Sequence, residues 1–315
     1  MTAQRVCIIW NPSKTTRQEL ESGLARAISA AGPDTEVLWF ATSEDDAGQG
    51  VTAQALATRA DVVVVAGGDG TVRAVAERLA EADTETELAI VPLGTGNLLA
   101  RNLEVPLGDV AAAFTRALTG EARALDVGWL EIDLAGGPER HAFAVLAGFG
   151  LDAHMITETD DDLKDKVGWL AYVESMGRAL AASDPLEVRI TADGQPHDGH
   201  RVHTLLAGNC GTLQGGFNLL PDADPGDGEL DLLLLSADGA AGWIDTMRNM
   251  VWDNGIKRLA KRGKVAESSE SATHLRVRSL RLELEEPRVF EIDGEDLGAA
   301  TRVSITVQAS AVRVR

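Results

Sequence analysis

The sequence predicts an α/β nucleotide-binding domain, with a parallel sheet flanked by helices, followed by a second domain that is mainly a β-sandwich. Up to about residue 122, short apolar runs alternate with segments of helical periodicity. From Ala124 onward the chain consists mostly of strand patterns, several of them strictly alternating between apolar and polar residues. With 315 residues, 44% of them hydrophobic, the chain is long enough for two cores.

The first domain is predicted over residues 1–124 and contains four apolar strands, which are RVCIIW, TEVLWFAT, DVVVVAGG and ELAIVPLG. Helical spacing separates them. It begins after Ser13, with an apolar face at Leu20 and Leu24, and recurs in VTAQALATRA, from about Thr71, and in DVAAAFTRALTGEA. Continuous apolar strands separated by helices are typical of a parallel sheet that is buried on both faces.

The second domain is predicted over residues 125–315. Its strands are ALDVGWLEIDL, HAFAVLAGFG, LEVRITADG, HRVHTLLAGN, GELDLLLLS, HLRVRSLRLELEEPRVFEIDG and TRVSITVQASAVRVR. Two helical insertions interrupt this pattern, at roughly residues 162–182 and 239–260. We expect the last residues, about 308–315, to pack back on the first domain.

Charge and cysteine content limit the partners and the compartment. A net charge of −20 repels nucleic acid and anionic bilayers at long range, so we expect no nucleic-acid partner and only local membrane contact. Cys7 and Cys210 have neither metal-site spacing nor the pattern of a disulfide framework, and we expect two small buried side chains in a reducing cytoplasm. No run approaches the roughly 18 apolar residues of a spanning helix. The prediction is a cytoplasmic protein, soluble or peripheral at the inner face of the membrane.

The run VVVVAGGDGTVRAVAERL places one carboxylate, Asp69, among Gly67, Gly68 and Gly70, where a buried strand turns into a helix. Neither ordinary phosphate-loop pattern fits, but glycines at a helix N-terminus expose N–H groups to a polyphosphate. A carboxylate there would repel phosphate unless a cation lay between them, which favours a place for Asp69 beside Mg²⁺. The alternative is that Asp69 caps the helix that begins at Thr71. The local pattern does not decide between the two.

A second glycine turn, IVPLGTGNLL, follows the fourth strand and contains Gly94, Thr95, Gly96 and Asn97. The first strand ends in the residues NPS, at positions 11–13. Ligands of open α/β sheets bind at the carboxyl ends of the strands. Three polar loops at one edge of the sheet therefore indicate a nucleotide site.

These motifs together resemble the catalytic domain of the diacylglycerol kinase and sphingosine kinase family of lipid kinases. GGDGT, with PLGTGN about twenty residues later and NPS near the N-terminus, carries the resemblance. It continues through LDVGWL, GFGLDA, KVGWLAYV, GGFNLLPDADPGDGELDL and EIDGE, in that order, and covers nearly the whole chain. The more distantly related NAD kinases share the GGDGT element. The resemblance implies an α/β ATP domain joined to a β-sandwich, with the reaction in the cleft.

The resemblance implies ATP and Mg²⁺ as cofactors and assigns residues to them. Asn11, Ser13 and the turn Gly67–Thr71 look like ATP-binding residues, with Thr95 contributing from the second turn. Asp69 looks like the carboxylate that organises the catalytic Mg²⁺, partly through water.

A second metal position and the catalytic pair are also implied by the resemblance. Asp227, in DPGDGEL, resembles a second metal-linked aspartate, and its loop, with the backbone carbonyls of Asp224 and Glu229, looks like a magnesium-bound loop. Asp293 and Glu295, in EIDGE, look like the catalytic pair near the acceptor hydroxyl.

The chemistry of Asp293 and Glu295 agrees with this assignment, because a lipid hydroxyl needs a carboxylate to accept its proton. Alternation along a strand would point both side chains to one face, and either could be the base. The alternative is a hairpin turn, since Asp-Gly is a strong turn signal.

Two positions depart from the family pattern. Lys14 stands in NPSKT where relatives commonly have glycine, and it could clash with phosphate or pair with it. Gly226 stands where some bacterial relatives have a second aspartate, so the metal network could be reduced to Asp69 and Asp227. Both departures leave room for an altered rate or specificity.

Two further clusters have ordinary explanations. His197, His200 and His203 have spacing that could suggest a metal, but we expect a solvated hairpin, in which alternation separates their directions. The acidic run at residues 160–162 suits an exposed helix N-terminus.

Residues 243–264 combine tryptophans and methionines with a basic cluster, in a strongly acidic protein. The segment could lie at a bilayer interface and make peripheral membrane contact, or it could be a helix packed on the sandwich with a solvated basic end.

The predicted function is an ATP- and Mg²⁺-dependent lipid kinase of the diacylglycerol kinase type, whose partners are ATP and a membrane lipid. The alternatives are a NAD kinase-like enzyme with a soluble acceptor and a non-catalytic lipid-binding regulatory protein of the same fold. The sequence does not identify the lipid, and it leaves the oligomeric state, including a homodimer, open.

Overall fold

Four parallel strands form the amino-terminal part of the sheet. The computed structural model describes residues 4–31, 35–150, 185–213, 218–236 and 272–315. The four strands are β1 (Gln4–Trp10), β2 (Thr35–Ala41), β3 (Val62–Gly67) and β4 (Glu87–Pro92). They lie in the order β2-β1-β3-β4, and all six residues of β3 are buried. The predicted parallel sheet of apolar strands is confirmed.

Helices connect and cover these strands. They are α1 (Arg17–Ala31), α2 (Gln49–Ala57), α3 (Asp69–Ala82), α4 (Leu98–Asn102) and α5 (Val110–Thr119). The third helix begins at Asp69, two residues before the predicted start. The fifth begins after Asp109, whose side chain accepts the Ala112 N–H at 3.0 Å and satisfies one of the free donors of the first turn.

The rest of the described chain is antiparallel β-structure. Its strands are β5 (Arg123–Leu134), β6 (Gly137–Phe143), β7 (Leu146–Phe149), β8 (Leu186–Ala192), β9 (Gln195–Val202), β10 (Thr204–Gly208), β11 (Leu230–Leu235), β12 (Ala272–Val277), β13 (Ser279–Ile292) and β14 (Glu295–Val314). A second apolar core lies among them, with the rings of Phe149 and Phe290 packed edge to face at 5.4 Å. The predicted change from α/β to β-structure is confirmed.

One strand joins the two parts of the molecule. β14 pairs antiparallel with β13 and β5 along most of its length. At its end, Arg313 and Val314 pair in parallel with Glu87 and Leu88 of β4. The sheet therefore runs without interruption from β12 to β2, and the last residues pack in the core of the α/β part.

Two details of the predicted β-domain are wrong or shifted. The segment HAFAVLAGFG is two strands, because β6 ends at Phe143 and β7 begins at Leu146. The backbone N–H groups of Ala144 and Val145 in this break bind a side chain instead of a neighbouring strand. The hairpin near the histidines turns at Asp193 and Gly194, so that His197 and His200 lie on β9.

Several predicted features lie outside the described residues. They are the helical insertions at 162–182 and 239–260, the acidic run at 160–162 and the segment 243–264. In the part of the chain that the structure describes, no helix is long and apolar enough to cross a membrane.

Candidate active site

The GGDGT turn connects β3 to α3 at the carboxyl edge of the parallel sheet. Gly68 precedes the helix with an extended backbone, and no side chain caps this helix start in the described structure. A Cβ atom at Gly67 would lie 2.9 Å from Cβ of Thr71, so the turn is too tight for a larger residue. The first N–H groups of α3 are thus left without a side-chain acceptor, which is the arrangement that suits an anion.

Asp69 binds the start of the next helix and not its own. Its Oδ2 accepts the N–H of Asn97 at 2.8 Å, and its Oδ1 accepts the N–H of Leu98 at 2.6 Å. The alternative that Asp69 caps the helix at Thr71 is therefore wrong. Burial raises the pKa of Asp69, although the N–H groups of Leu98 and Asn97 act in the opposite direction.

The two glycine turns touch each other. A Cβ atom at Gly94 would lie 2.8 Å from the Cα of Gly68, and a Cβ atom at Gly96 would lie 2.8 Å from Oδ2 of Asp69. Within the second turn, the Asn97 side chain accepts the Gly94 N–H at 2.8 Å and donates to the Gly94 carbonyl at 2.6 Å. The glycines are therefore required by close approach of the two turns, and Thr95 stands exposed at the tip.

The loop after β1 completes this edge. Oδ1 of Asn11 accepts hydrogen bonds from the backbone N–H and the hydroxyl of Ser13, at 2.9 and 2.8 Å. The Asn11 amide nitrogen lies 3.4 Å from the Thr71 hydroxyl. Lys14 extends toward the GGDGT turn, with its Cε 4.0 Å from the place of a Cβ on Gly68. The structure thus brings together the three loops that were expected at one edge.

Asp293 does not lie on a continuous strand. It forms a two-residue hairpin turn with Gly294, and the positive φ values of 48° and 88° are those of a type I′ turn. The prediction that strand alternation points Asp293 and Glu295 to one face is wrong, because the chain reverses direction between β13 and β14. A hairpin turn at Asp293 is compatible with a catalytic role for its side chain.

The Asp293 carboxylate is buried and held by backbone groups. Its Oδ2 accepts the Ala144 N–H at 2.8 Å, and its Oδ1 accepts the N–H groups of Val145 and Leu146, both at 2.9 Å. Burial raises the pKa of Asp293 to about 6, against the effect of these hydrogen bonds and of the charge of Arg73. The carboxylate therefore has one position and a pKa closer to neutrality than an ordinary aspartate.

Glu295 lies against the GGDGT turn. A Cβ atom at Gly70 would lie 2.5 Å from its Oε1, and its Oε2 forms an ion pair with Arg73, one turn further along α3. The EIDGE hairpin and the GGDGT turn, far apart in the sequence, are thereby in direct contact.

The DPGDGEL loop is held by hydrogen bonds within the loop and by ion pairs with Arg276. Oδ1 of Asp227 accepts the Glu229 N–H at 3.0 Å, and the Asp227 N–H donates to the Asp224 carbonyl at 3.3 Å. Arg276 lies 3.4 Å from Asp227 and 3.8 Å from Glu229. Burial raises the pKa of Asp227. The Arg276 guanidinium thus already pairs with two carboxylates of this loop.

The oxygen donors at these positions suit Mg²⁺ in kind, since it prefers carboxylate and carbonyl ligands. Asp69, fixed beside a free helix N-terminus, fits a place next to a metal-bound polyphosphate. The Asp227 loop is less suited to a metal ion, because Arg276 already forms ion pairs with its carboxylates. Among the described residues, no group of three or more His, Cys, Asp or Glu side chains is arranged to hold a metal ion by itself.

Asp126 is a site residue that the sequence analysis missed. It is fully buried on β5, and its carboxylate accepts the N–H groups of Gly228 and Ser310, both at 2.6 Å. The Asn209 side chain donates to the Asp126 carbonyl at 2.8 Å and to the Ala144 carbonyl at 3.0 Å. These contacts connect the acidic loop to the segment that holds Asp293. The signal in the sequence was one carboxylate within the apolar strand ALDVGWL.

Comparison with known proteins agrees with this arrangement. Residues 5–130 match the diacylglycerol kinase catalytic domain, and residues 145–315 match the YegS C-terminal NAD kinase beta sandwich-like domain. A protein of Stenotrophomonas maltophilia named "Probable lipid kinase YegS-like" is 31% identical over 95% of this chain and 92% of its own length. The diacylglycerol kinase of Bacillus subtilis is 27% identical over 93% of this chain and 90% of its own length.

A solved structure of a diacylglycerol kinase from Bacillus anthracis superimposes with a TM-score of 0.68, at 24% identity, over 99% of this chain and 96% of that one. This likeness shows the fold, an α/β domain followed by a β-sandwich-like domain. The two family domains define a kinase that uses ATP as its co-substrate. The chain belongs to the family of diacylglycerol kinases and YegS-like lipid kinases, as the motifs predicted.

Proposed function

We propose that this protein transfers the γ-phosphate of ATP, with Mg²⁺, to a hydroxyl group of a membrane lipid such as diacylglycerol. The observation that carries the proposal is the contact of Glu295 with Gly70, because it brings the EIDGE hairpin to the turn best suited to phosphate. Membership of the lipid kinase family supports the class of acceptor.

The phosphates would bind at the N-terminus of α3. This helix start lacks a side-chain cap among the described residues, whereas α4 is capped by Asp69. The start of α3 therefore offers N–H groups without a side-chain acceptor to an anion. Gly68 allows close approach, and Lys14 supplies a positive charge beside the turn.

Mg²⁺ would neutralise charge on the phosphate oxygens when bound, and we assign its position to the side of Asp69. We further propose the Asp227 loop, with the carbonyls of Asp224 and Glu229, as the second metal position, which requires Arg276 to move aside. The test is the Mg²⁺ concentration needed for half-maximal activity in D227N. We expect an increase, and an unchanged requirement would assign this loop to Arg276 alone.

Asp293 is the base in this proposal. The acceptor oxygen attacks the γ-phosphorus, the bond to the bridging oxygen of ADP breaks, and the hydroxyl proton passes to Asp293. Oδ2 is the suitable atom, because it accepts one backbone N–H whereas Oδ1 accepts two. The pKa of about 6 lies nearer to neutrality than that of a free aspartate and favours proton acceptance.

The experiment is transfer of labelled γ-phosphate from ATP with Mg²⁺ to diacylglycerol, a sphingoid base and a polyprenol in mixed micelles, with soluble NAD in parallel. D293N is the test variant. D193N is its matched control, since Asp193 and Gly194 form an equivalent turn with φ values of 49° and 76°, and the Asp193 carboxylate also accepts backbone N–H groups.

We expect labelled lipid from the wild type and from D193N, and loss of at least about a hundredfold in D293N, the usual range for removal of a general base. Label on NAD would establish the NAD kinase-like alternative. ATP binding without transfer to any acceptor would establish the regulatory alternative.

We also propose that the protein works in the cytoplasm and contacts the membrane peripherally. Cys7 and Cys210 are both free thiols and both buried, which is compatible with a reducing compartment. The segment 243–264, with its basic cluster, is our candidate for the membrane contact. Sedimentation with anionic and neutral vesicles tests this, because only anionic vesicles should bind the wild type.

A further inference from the structure

Arg73 is a largely buried cation between the two motifs that the proposed function joins. It lies on α3, one turn after Gly70, and its side chain is 13% exposed. Its Nη2 forms an ion pair with Oε2 of Glu295. Its Nε is buried and has no hydrogen-bond partner within the described ranges. Because it is largely shielded from solvent and paired with Glu295, the guanidinium is held in one orientation.

Three carboxylates surround Arg73. Glu295 forms an ion pair with it, and its positive charge acts to lower the pKa of Asp293 and the pKa of Glu77. Glu77 lies one turn further along the same helix, where burial raises its pKa. Arg73 is therefore the cation for three acids in a protein whose net charge is −20.

The position of Glu295 creates a conflict that Arg73 resolves. Oε1 of Glu295 lies at the N-terminus of α3, over Gly70, where the proposed function puts the phosphates of ATP. An unpaired carboxylate there would repel a polyphosphate. With Arg73 on Oε2, the pair is neutral, and the glutamate can remain beside the phosphates.

We propose that Arg73 is a positioning residue that fixes and neutralises the Glu295 carboxylate over Gly70, so that ATP can bind next to it. The inference rests on the proposed function for the place of the phosphates. It predicts that Arg73 affects ATP binding through Glu295. Removing Arg73 should therefore weaken ATP binding only when residue 295 carries a negative charge.

A double-mutant cycle tests this prediction. The variants are R73Q, E295Q, the double variant R73Q/E295Q and the conservative variant R73K. The control is R78Q, which removes an equal charge from α3 at an exposed position that pairs with Glu81. Affinity for a non-hydrolysable ATP analogue with Mg²⁺ is measured by calorimetry, and urea unfolding is recorded for every variant.

We expect R73Q to weaken binding of the ATP analogue by about fivefold to tenfold, whereas E295Q alone should not weaken it, because it leaves the positive charge of Arg73 unpaired beside the phosphates. Adding E295Q to R73Q should restore affinity to within about twofold of the wild type. R73K should retain most of the affinity, and R78Q all of it. In lipid kinase assays, R73Q should raise KM for ATP by the same factor as it weakens analogue binding.

Other results overturn the inference. If the double variant binds as weakly as R73Q, or if R73Q lowers folding stability and E295Q does not restore affinity, Arg73 is only a structural contact. If the wild type binds the analogue but phosphorylates no lipid, the proposed function fails while the cycle still decides the role of Arg73. If the wild type binds no ATP analogue, both fail.

Discussion

Asp69 and Leu98 are joined by a 2.6 Å hydrogen bond that connects the first turn of α3 to the first turn of α4. The same carboxylate also accepts the N–H of Asn97. Two helix starts that follow different strands are therefore fixed by one side chain, and any Mg²⁺ beside Asp69 meets a carboxylate that has already lost its rotational freedom.

Replacing Asp69 by asparagine should affect both stability and activity. One oxygen becomes an NH₂ group that faces a backbone N–H, so we expect a loss of about 1–3 kcal/mol in the free energy of unfolding. Activity should fall by at least about a hundredfold, because Asn cannot supply the negative charge that a metal needs. D109N is the control, since Asp109 caps α5 away from the turns. It should cost less than about 0.5 kcal/mol, because asparagine caps a helix about as well as aspartate, and it should keep its activity. Equal activity in both variants would contradict the assignment of Asp69.

Glycine at position 94 should be irreplaceable for nucleotide binding. The methyl group of G94A would lie 2.8 Å from a backbone atom of Gly68, which must move and separate the two turns. We expect weaker binding of an ATP analogue by about tenfold or more and a destabilisation of about 1–3 kcal/mol. Calorimetry and urea unfolding measure these effects. In the control G136A the new Cβ has no neighbour within 4 Å, and it should change stability by less than about 0.5 kcal/mol.

The buried Asp126 should be essential for folding around the acidic loop. In D126N one of the N–H groups of Gly228 and Ser310 loses its acceptor inside the protein, which should cost about 2–3 kcal/mol. D133N lies on the same strand but is half-exposed in an ion pair with Arg302, and it should cost less than about 1 kcal/mol. Chemical denaturation measures the free energy of unfolding of both variants. Equal values would show that Asp126 does not hold the acidic loop in place.

The raised pKa of Asp293 predicts two pH dependences. Its base form accumulates as pH rises through about 6, so kcat/KM should increase from pH 5 to pH 7 with a midpoint near 6. Because the folded-state pKa lies above the ordinary value of about 3.9, the folded protein binds more protons between about pH 4 and 6. The contribution of Asp293 to stability therefore falls as pH rises through that window.

The matched variants separate the two effects. R73Q should move the acidic limb of kcat/KM to higher pH, since the positive charge of Arg73 lowers the pKa of Asp293. D293N should remove its part of the stability slope between pH 4 and 6. D193N should leave the limb near pH 6, and a limb that shifts equally in D193N would assign it to another group.

The parts of the site that the sequence predicted are those set by local chemistry. The four apolar strands and the glycines after β3 and β4 could be located because burial and tight turns restrict residue type within a few positions. The edge at which the loops meet followed from parallel strand order alone, and Asn11 and Gly94 lie there.

The parts that the sequence did not reveal depend on contacts between distant segments. Arg73 and Glu295 are 222 positions apart, and no spacing rule connects them. The same is true of Asp126 and Ser310, which are 184 positions apart. For Asp293 the sequence left both strand alternation and a hairpin turn open, and the positive φ values of Asp293 and Gly294 are those of the hairpin.

The continuous strand β14 has a mechanical consequence. It begins at Glu295, beside the GGDGT turn, and 18 residues later Arg313 pairs with Glu87 at the start of β4, the strand that leads into the second glycine turn. One strand thus joins the carboxylate hairpin, which touches the nucleotide edge, to the opposite end of the parallel sheet. A hinge between the two halves would have to break this strand or its pairing with β4, so we expect the α/β part and the β-structure to move as one body.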